Sequence, residues 1–193
     1  MLRRLYDRIL ALAEGRWALP ALAGVSFIES SVFPITPLVM LVPMVLARPD
    51  RAWLIAGVCT LASVAGGVLG YGIGMFLYEE LGRPVLELYG KAEAYEDAAD
   101  WFNARGWEAV LIAAITPVPY KVVTIASGAT GLSLGVLIAA SLIGRGIQFF
   151  GAAAVVWWLG PPAKVLIDRY FNWVAAGTGV LIVGGFVAVR YLA

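Results

Sequence analysis

Three runs of sequence without a charged residue most constrain what this chain can fold into. They cover Trp53–Tyr78, Val122–Gly144 and Tyr170–Val189, and they are 26, 23 and 20 residues long. A helix needs about 20 apolar residues to cross the hydrocarbon core of a bilayer. Hydrophobic residues make up 61% of the 193-residue chain, against about 45–50% in soluble domains. The sequence therefore predicts an all-α integral membrane protein that forms a single membrane domain over residues 1–193.

The composition also excludes several kinds of chemistry. The chain has no histidine, and its single Cys59 can form neither an internal disulfide nor a thiolate metal cluster. A net charge of +1 gives no electrostatic basis for binding nucleic acid. No motif pairs a serine or threonine nucleophile with a base. We therefore expect neither an enzyme nor a bound metal or cofactor.

Two apolar stretches have lengths that fit neither one span nor two. Residues 17–47 are interrupted by Phe33–Pro37, and residues 109–144 are interrupted by Thr116–Pro119. Proline cannot continue a helix interior, and the residue before a proline is pushed out of the α region. Broken backbone at membrane depth is tolerated only against protein or a water-filled cavity. The pattern predicts re-entrant helical hairpins over 17–47 and 109–133.

The remaining segments follow from charge and periodicity. They are predicted as an amphipathic interfacial helix over 1–16, transmembrane helices over 53–78, 134–159 and 170–192, and an acidic amphipathic segment over 79–108. Within the acidic segment, Ala92–Ala104 is predicted to be a helix that stops at Arg105-Gly106. Gly66, Gly70 and Gly74 are expected to bare one helix face for close packing.

Loop charges predict the orientation. Lysine and arginine are concentrated in residues 1–16, 48–51 and 164–169, which share one side in this topology. The positive-inside rule makes that side cytoplasmic. We therefore expect a multi-pass bacterial inner-membrane protein with a cytoplasmic N-terminus and an extracytoplasmic 79–108 segment.

The two hairpins indicate an internal repeat. Ile35-Thr36-Pro37 and Ile115-Thr116-Pro117 lie 80 residues apart, and each belongs to a broken hairpin followed by a long helix. Only one predicted span separates the hairpins, so the copies should be related by inversion. In transporters built this way, the substrate site lies at the interface of the repeats.

Three charged residues interrupt the apolar runs, namely Glu29, Lys121 and Arg145. A charge at a helix centre costs at least about 2.5–3.5 kcal/mol by insertion scales, so each should face a partner or a cavity. Ser141 and Gln148 share a helix face with Arg145. Alternatives are snorkelling for Lys121 and a purely structural pair of Glu29 with Arg145. We predict that Glu29 lies within pairing reach of Lys121 or Arg145.

The motifs around these residues resemble those of a known family. Phe27–Pro37 resembles the first signature of the DedA family, also called the VTT-domain or SNARE-associated superfamily. Ala98–Leu111 resembles its amphipathic helix with an Arg-Gly stop. Thr116–Lys121, continuing to Ser127-Gly128, looks like the second hairpin of the short YqaA-like branch. The resemblance implies two inverted re-entrant hairpins and membrane-embedded transport, with lipid-carrier phosphate recycling or lipid scrambling as activities.

The chain departs from the larger family members at two places. Their second hairpin carries a pair of arginines, whereas here only Lys121 lies near the second of these positions. Their second acidic residue has no counterpart at membrane depth, because Asp50 is a loop residue. The predicted substrate-binding residues are Glu29, Thr36, Pro37, Thr116, Pro117, Pro119, Tyr120, Lys121, Arg145 and Gln148.

Three functions are compatible with the sequence. The leading one is transport or flipping of a phosphate-headed lipid, a lipid-carrier phosphate or a phospholipid, whose anion is held at the hairpin tips at the bilayer midplane. The alternatives are a proton-coupled small-molecule exporter or antiporter with Glu29 as the proton carrier, and a non-transporting membrane scaffold subunit. The expected partners are membrane lipids and protons but no nucleic acid, and a homo-oligomer is compatible with the sequence.

Overall fold

A computed structural model describes residues 17–31, 36–90, 92–116, 119–160 and 162. Over these residues the protein is helical, without a strand. The α-helices are α1 (Ala18–Ser31), α2 (Leu38–Ala47), α3 (Ala52–Leu77), α4 (Arg83–Leu88), α5 (Ala92–Ala104), α6 (Gly106–Ile115), α7 (Tyr120–Ala129) and α8 (Leu134–Leu159). The helices predicted over 1–16 and 170–192 lie outside the described residues, as do 32–35, 117 and 118 within the predicted breaks.

Two helices are long and apolar enough to cross a membrane, Pro49–Leu88 and Leu134–Leu159. The first contains α3 and the second is α8, and α3 and α8 are antiparallel neighbours. The ring of Trp53 at the start of α3 lies 6.2 Å, between centroids, from both Phe150 and Trp157 in the second half of α8. Inverted repeats require this antiparallel arrangement of the two corresponding helices.

The first short helix of each predicted repeat runs parallel to the long helix of the same repeat. In the first copy, Ala18 shares a buried cluster with Ala52, and further along Ser30 is hydrogen-bonded to Ser63. In the second copy, Gly106 packs on Leu132 and Gly144 packs on Ala114. Therefore α1 runs alongside α3 in the same way as α6 runs alongside α8.

The second short helix of each copy packs on the long helix of the other copy. Tyr120 of α7 contacts Gly67 of α3, and Gly128 contacts the backbone of Tyr71. In the corresponding way, α2 packs against α8 and also touches α3. This exchange of partners holds the two copies together in one helical bundle.

Each pair of short helices leaves and returns to the same end of the bundle. In the first pair, α1 begins beside Ala52 and α2 ends at Ala47, just before α3. In the second pair, α6 begins beside Leu132 and α7 ends at Ala129, just before α8. The far end of α1 is level with Ser63, near the middle of the 26-residue α3. Both pairs therefore turn back about half-way along the long helices.

Glycines make this close packing possible. A Cβ atom at Gly66 would collide with the carbonyl oxygen of Phe27 in α1, and one at Gly74 would collide with the carbonyl oxygen of Ile125 in α7. At Gly70, a Cβ atom would lie 2.5 Å from Oγ1 of Thr124. The glycine face of α3 is thus occupied by both pairs of short helices, as predicted for a packing face.

The long helix that contains α3 continues further than the sequence pattern indicates. It runs through a π-helical turn at Tyr78–Gly82 into α4, as one apolar helix that ends at Leu88. The helix therefore extends past residue 78, where the predicted transmembrane segment ends and where charged residues begin at Glu79. A π-turn suits this place because Pro84 has no N–H to bond the carbonyl four residues earlier.

The helix α5 has the predicted bounds and covers the end of the second pair. The Tyr95 hydroxyl donates a hydrogen bond to the carbonyl of Ala129 at 2.6 Å, and the Asn103 amide donates to the carbonyl of Thr130 at 2.7 Å. These bonds satisfy carbonyl groups that a helix C-terminus leaves without partners. The acidic segment therefore anchors α7 at its C-terminal end.

Exposed aromatic side chains mark both ends of the bundle. At the end where α3 begins they are Trp17, Trp53, Trp157 and Trp158, and at the opposite end they are Tyr89, Trp101 and Trp107. Aromatic residues are enriched at the two membrane–water interfaces. Their distribution is typical of a bundle that spans a bilayer.

Candidate functional site

A buried ion pair joins the first short-helix pair to the second long helix. Glu29 is in the last turn of α1, and Arg145 is near the middle of α8. The Oε2 atom of Glu29 lies 3.7 Å from Nη2 of Arg145, and the two side chains are 21% and 6% exposed. The predicted pairing of Glu29 with a cation is confirmed, and that cation is Arg145.

The guanidinium group of Arg145 is held by two neighbours. Its Nη1 donates a hydrogen bond to Oε1 of Gln148 at 3.0 Å. The ring of Tyr120 lies against the guanidinium face, 4.1 Å from Cζ to the ring centroid, and Phe149 is at 5.8 Å. Within the described part of the chain, Nε and Nη2 of Arg145 have no hydrogen-bond partner. One edge of the guanidinium is therefore held by Gln148, and the other edge faces no hydrogen-bond acceptor among the described residues.

Tyr120 is itself fixed between both long helices. Its hydroxyl donates a hydrogen bond to Oγ of Ser141 in α8 at 2.6 Å. A Cβ atom at Gly67 in α3 would lie 2.5 Å from the same hydroxyl oxygen, so α3 leaves just enough room for the ring. Because Tyr120 is the first residue of α7, the start of this half-helix is locked at the level of Arg145.

The carboxylate of Glu29 is connected to a pair of buried serines. Oγ of Ser30 donates a hydrogen bond to Oε2 of Glu29 at 3.2 Å and lies 2.6 Å from Oγ of Ser63. A hydroxyl group has one hydrogen to donate. When Ser30 donates to Glu29, Ser63 must be the donor to Ser30. The three groups then form a hydrogen-bonded line from α3 to the carboxylate.

The residues of the two predicted tips occupy different environments. Thr116 donates its hydroxyl to the carbonyl of Ile112 at 2.6 Å, within its own helix, whereas Thr36 is exposed. Pro37 and Pro119 directly precede α2 and α7. Each proline therefore lies within one residue of the start of its half-helix, as close as helix ends are defined. Pro117 lies outside the described residues.

Two charges of this region lie at the unfavourable ends of their helices. Lys121 is the second residue of α7, and its side chain is half-buried. Glu29 is near the C-terminus of α1. The helix dipole disfavours a cation at an N-terminus and an anion at a C-terminus, each by about 0.3–1 kcal/mol at exposed sites. Such placement is not explained by helix stability.

The charged residues were predicted from the sequence, and Ser141 was placed on the helix face of Arg145, but Ser30 and Ser63 were not identified. Ser30, Ser63 and Ser141 are fully buried and bond to Glu29, to one another or to Tyr120. A signal was present for Ser63, since it lies three and seven residues before Gly66 and Gly70 and therefore shares their packing face. Serine is common in membrane helices, so this spacing alone did not distinguish it.

Comparison with known proteins identifies relatives over most of the chain. An uncharacterized protein of Haemophilus influenzae is 33% identical over 156 residues, which cover 81% of this chain and 81% of the relative. An uncharacterized protein of Histophilus somni has the same identity and the same coverage. No solved structure shows a significant match.

A family model gives the assignment. The model of the VTT domain matches residues 33–157, a range that includes α2 through most of α8 and hence Tyr120, Lys121 and Arg145. The match covers the interface between the two repeats as well as the second half of the site. The chain belongs to the VTT domain family, the DedA family of membrane proteins.

Proposed function

We propose that this protein is a membrane transporter or flippase for a phosphate-headed lipid, and that the lipid's anionic group binds where Glu29 meets Arg145. One observation carries the proposal. Arg145 is almost fully buried, yet among the described residues its Nε and Nη2 have no hydrogen-bond partner. Burying a cation without satisfying its donors is costly, so such groups in membrane helices usually serve substrates or ions.

The depth of the site supports this proposal. With a rise of 1.5 Å per residue, the 26-residue α3 is about 39 Å long, slightly more than the bilayer's hydrocarbon thickness of about 30 Å. Ser63 and Arg145 are near the middles of α3 and α8. A bundle that spans the bilayer therefore has its ion pair near the midplane, and the two pairs of short helices would be re-entrant hairpins.

The chemistry of the site fits an anionic headgroup. In the resting state, Glu29 neutralises Arg145. A phosphate that reaches the midplane would take over this role, with Lys121 as a second cation at the start of α7. Helix N-termini also favour anions, and α7 begins at this site. The acyl or isoprenoid chain of the lipid would remain in the surrounding hydrocarbon.

The proposed topology places the end that carries Arg48 and Arg51 in the cytoplasm. Both arginines are exposed in the short connection before α3, at the end with the exposed tryptophans. The acidic segment with α5 lies at the opposite end, which would be extracytoplasmic. This assignment follows the positive-inside rule.

A second candidate function rests on the hydrogen-bonded line of Ser63, Ser30 and Glu29, called the hydroxyl line below. The chain of Ser63, Ser30 and Glu29 brings exchangeable hydrogens to a half-buried carboxylate. This arrangement favours Glu29 as a proton carrier in a proton-coupled exporter or antiporter. The two candidates share one site and differ in the group that displaces Glu29 from Arg145.

Reconstitution into vesicles tests the proposal. The purified protein is placed in liposomes that contain a trace of fluorescent phosphatidic acid or, in a parallel set, fluorescent glucosylceramide, which has no phosphate. We expect the protein to accelerate the transbilayer movement of the phosphatidic acid and not of the glycolipid. Equal acceleration of both lipids, or of neither, would contradict a phosphate-specific lipid transporter.

A further inference from the structure

We infer that α5 is a latch that holds the second pair of short helices, α6 with α7, closed over the buried ion pair, and that its release opens the site toward the end of the bundle where α5 lies. In the proposed topology this end is extracytoplasmic. The inference rests on the proposed function, because a transporter must expose its site to one side of the membrane at a time, and it adds the element that controls access. In transporters built from repeats, access alternates when one repeat moves against the other around a fixed site.

The first argument is an accounting of the carbonyl groups at the C-terminal end of α7. The chain turns at Gly131, whose φ is 69°, in a Schellman motif that satisfies the carbonyls of Ser127 and Gly128. The next two carbonyls, those of Ala129 and Thr130, accept hydrogen bonds from two side chains of α5. Water can also bond such terminal carbonyls, so both hydrogen bonds can be exchanged for water at a small net cost when α5 moves away.

The second argument is that α5 is attached both to the second pair and to the first long helix. Arg105 alone separates the end of α5 from the start of α6 at Gly106. The ring of Tyr95 in α5 stacks on the ring of Tyr78, with 4.6 Å between their centroids. Tyr78 begins the π-turn that directly follows α3, and π-turns often occur at functional sites. A movement of α5 about this turn would therefore carry the second pair with it.

The third argument is the smooth contact between α7 and α3. On α3 this contact is formed by Gly67, Gly70 and Gly74. Opposite the first two lie the side chains of Tyr120 and Thr124. Glycines bring the two backbones close together but offer no side chains that interlock, so α7 can separate from α3 without rearranging it. Because the Tyr120 ring also covers the guanidinium group of the ion pair, this separation would uncover the site.

The opposite side of the ion pair is closed by different packing. A buried apolar cluster there joins α1, α2, α3 and the second half of α8, and it includes Leu22, Leu41, Cys59 and Phe149. Release of α5 would leave this cluster intact, so the two sides of the site need not open together. Cys59 is the single cysteine of the chain, and its thiol therefore reports on this side alone.

The first test measures opening by cysteine labelling of the full-length protein in lipid nanodiscs, where both faces are accessible. A polar maleimide reacts with a buried thiol at a rate set by the fraction of open molecules. Cys59 reports on the first pair, and Thr124→Cys in a Cys59→Ala background reports on the second, since both positions are fully buried. The latch variants are Tyr95→Phe and Asn103→Ala. The matched control is Arg83→Gln, which breaks an exposed ion pair within α4.

We expect each latch variant to raise the labelling rate at position 124 about fivefold, the effect of one net hydrogen bond, and the double variant to raise it about 25-fold. The rate at Cys59, and the rates in the control variant, should change by less than about twofold. An unchanged rate at position 124 would overturn the inference. An equal rise at positions 59 and 124 would also overturn it, because general loosening of the fold exposes both thiols.

The second test closes the latch covalently. Oγ1 of Thr130 lies 3.1 Å from Oδ1 of Asn103, so Asn103→Cys combined with Thr130→Cys brings two thiols together in the Cys59→Ala background. A purely structural contact is strengthened by a disulfide, whereas a latch that must open stops working. We expect oxidation to slow the movement of fluorescent phosphatidic acid in vesicles at least about tenfold, and a reductant to restore it. The Thr130→Cys single variant, treated in the same way, should not respond.

The outcomes separate the latch from the proposed function. Phosphatidic acid that moves equally fast with the disulfide formed and reduced would overturn the latch and leave the proposed function standing. Faster labelling at position 124 in the latch variants, without lipid movement in any form of the protein, would support the latch and contradict the proposed function.

Discussion

The two pairs of short helices have corresponding packing but carry different chemistry. The first pair, α1 with α2, presents an acid at the end of its first helix, Glu29. The second pair, α6 with α7, presents an aromatic ring and a cation at the start of its second helix, Tyr120 and Lys121. The comparison teaches that the corresponding packing of the two pairs supplies the frame, whereas the residues that differ between them make up the proposed site.

The long helices differ in the same way. The first, α3, has no charged residue over Trp53–Leu77 and uses glycines to receive both pairs of short helices. The second, α8, carries Ser141, Arg145 and Gln148 along one face. One long helix is therefore specialised for packing and the other for holding a charge. The Glu29–Arg145 pair joins the acidic copy to the cationic copy.

The largest expected effect comes from breaking this pair on one side only. Glu29→Gln leaves Arg145, which is 6% exposed, without a counter-ion, whereas Arg145→Gln leaves the 21% exposed Glu29. Breaking a buried ion pair costs about 3–5 kcal/mol. We expect Glu29→Gln to reduce the free energy of unfolding more than Arg145→Gln, and both changes to abolish lipid transport. Thermal unfolding in detergent measures the first effect, and the vesicle assay measures the second.

A double variant provides the control for this prediction. Replacing both residues by glutamine removes both charges and leaves neither of them unpaired. The double variant should therefore lose less free energy of unfolding than the sum of the two single losses. Additive effects would show that the two side chains do not interact and would contradict the pair.

The next largest expected effect is a loss of stability when the packing of either pair of short helices on α3 is disturbed. Alanine at Gly66 strikes the backbone of α1, and alanine at Gly74 strikes the backbone of α7. Each change should destabilise the protein by about 1–3 kcal/mol, as overpacking does. Gly72→Ala is the matched control, since a Cβ atom there meets nothing within 4 Å. Unfolding midpoints that fall equally in all three variants would refute this packing.

A smaller effect tests the hydroxyl line on the acidic side. Ser63→Ala removes one hydrogen-bonding partner of Ser30, at a cost of about 1 kcal/mol. In Ser63→Ala, Ser30 keeps its hydrogen bond to Glu29, whereas Ser30→Ala removes both bonds. Ser30→Ala should therefore reduce the free energy of unfolding by at least as much as Ser63→Ala. The loss in the double variant should be smaller than the sum of the two single losses. Unfolding measurements on the three variants test this coupling. A fully additive double variant would indicate that the serines are not bonded.

The smallest expected effect concerns the hydrogen bonds from α5 to the C-terminal end of α7, which lie outside the predicted transmembrane helices. Burial raises the pKa of the Tyr95 hydroxyl above its ordinary value. The neutral hydroxyl, which donates to Ala129, therefore stabilises the fold fully below the ordinary pKa of about 10, and this contribution is lost as the pH rises through the raised pKa. Tyr95→Phe should lower the unfolding midpoint slightly near pH 7, and the difference should vanish at alkaline pH. A difference independent of pH would contradict this assignment.

Much of this arrangement could be predicted from the sequence because its signals are local or costly to violate. The bounds of α5 and α8 follow from hydrophobic runs and from the Arg105-Gly106 stop. The pairing of Glu29 follows from the cost of isolated charges in apolar surroundings. The identity of Arg145 as a partner did not follow, since Lys121 fitted that argument equally well.

Other features depend on contacts that no local pattern encodes. The packing of α2 on α8 and of α7 on α3 pairs segments about 100 and 50 residues apart. The contacts of Tyr120 with Ser141 and Arg145 in α8 likewise join residues 21 and 25 positions apart. The extension of the α3 helix to Leu88 depends on a π-turn before Pro84, which hydrophobic periodicity does not reveal. In these cases, tertiary packing determines the structure and local sequence patterns do not reveal it.

The most direct test of the central claim locates the headgroup of a bound lipid. A phosphatidic acid analogue with a photoreactive group beside its phosphate is incorporated with the protein into vesicles and activated by light, and the labelled peptides are identified by mass spectrometry. The account predicts adducts at Glu29, Tyr120 or Arg145, lost on competition with unlabelled phosphatidic acid and reduced in Arg145→Gln. Adducts confined to α5 and the exposed ends of the bundle, and unaffected by Arg145→Gln, would contradict it.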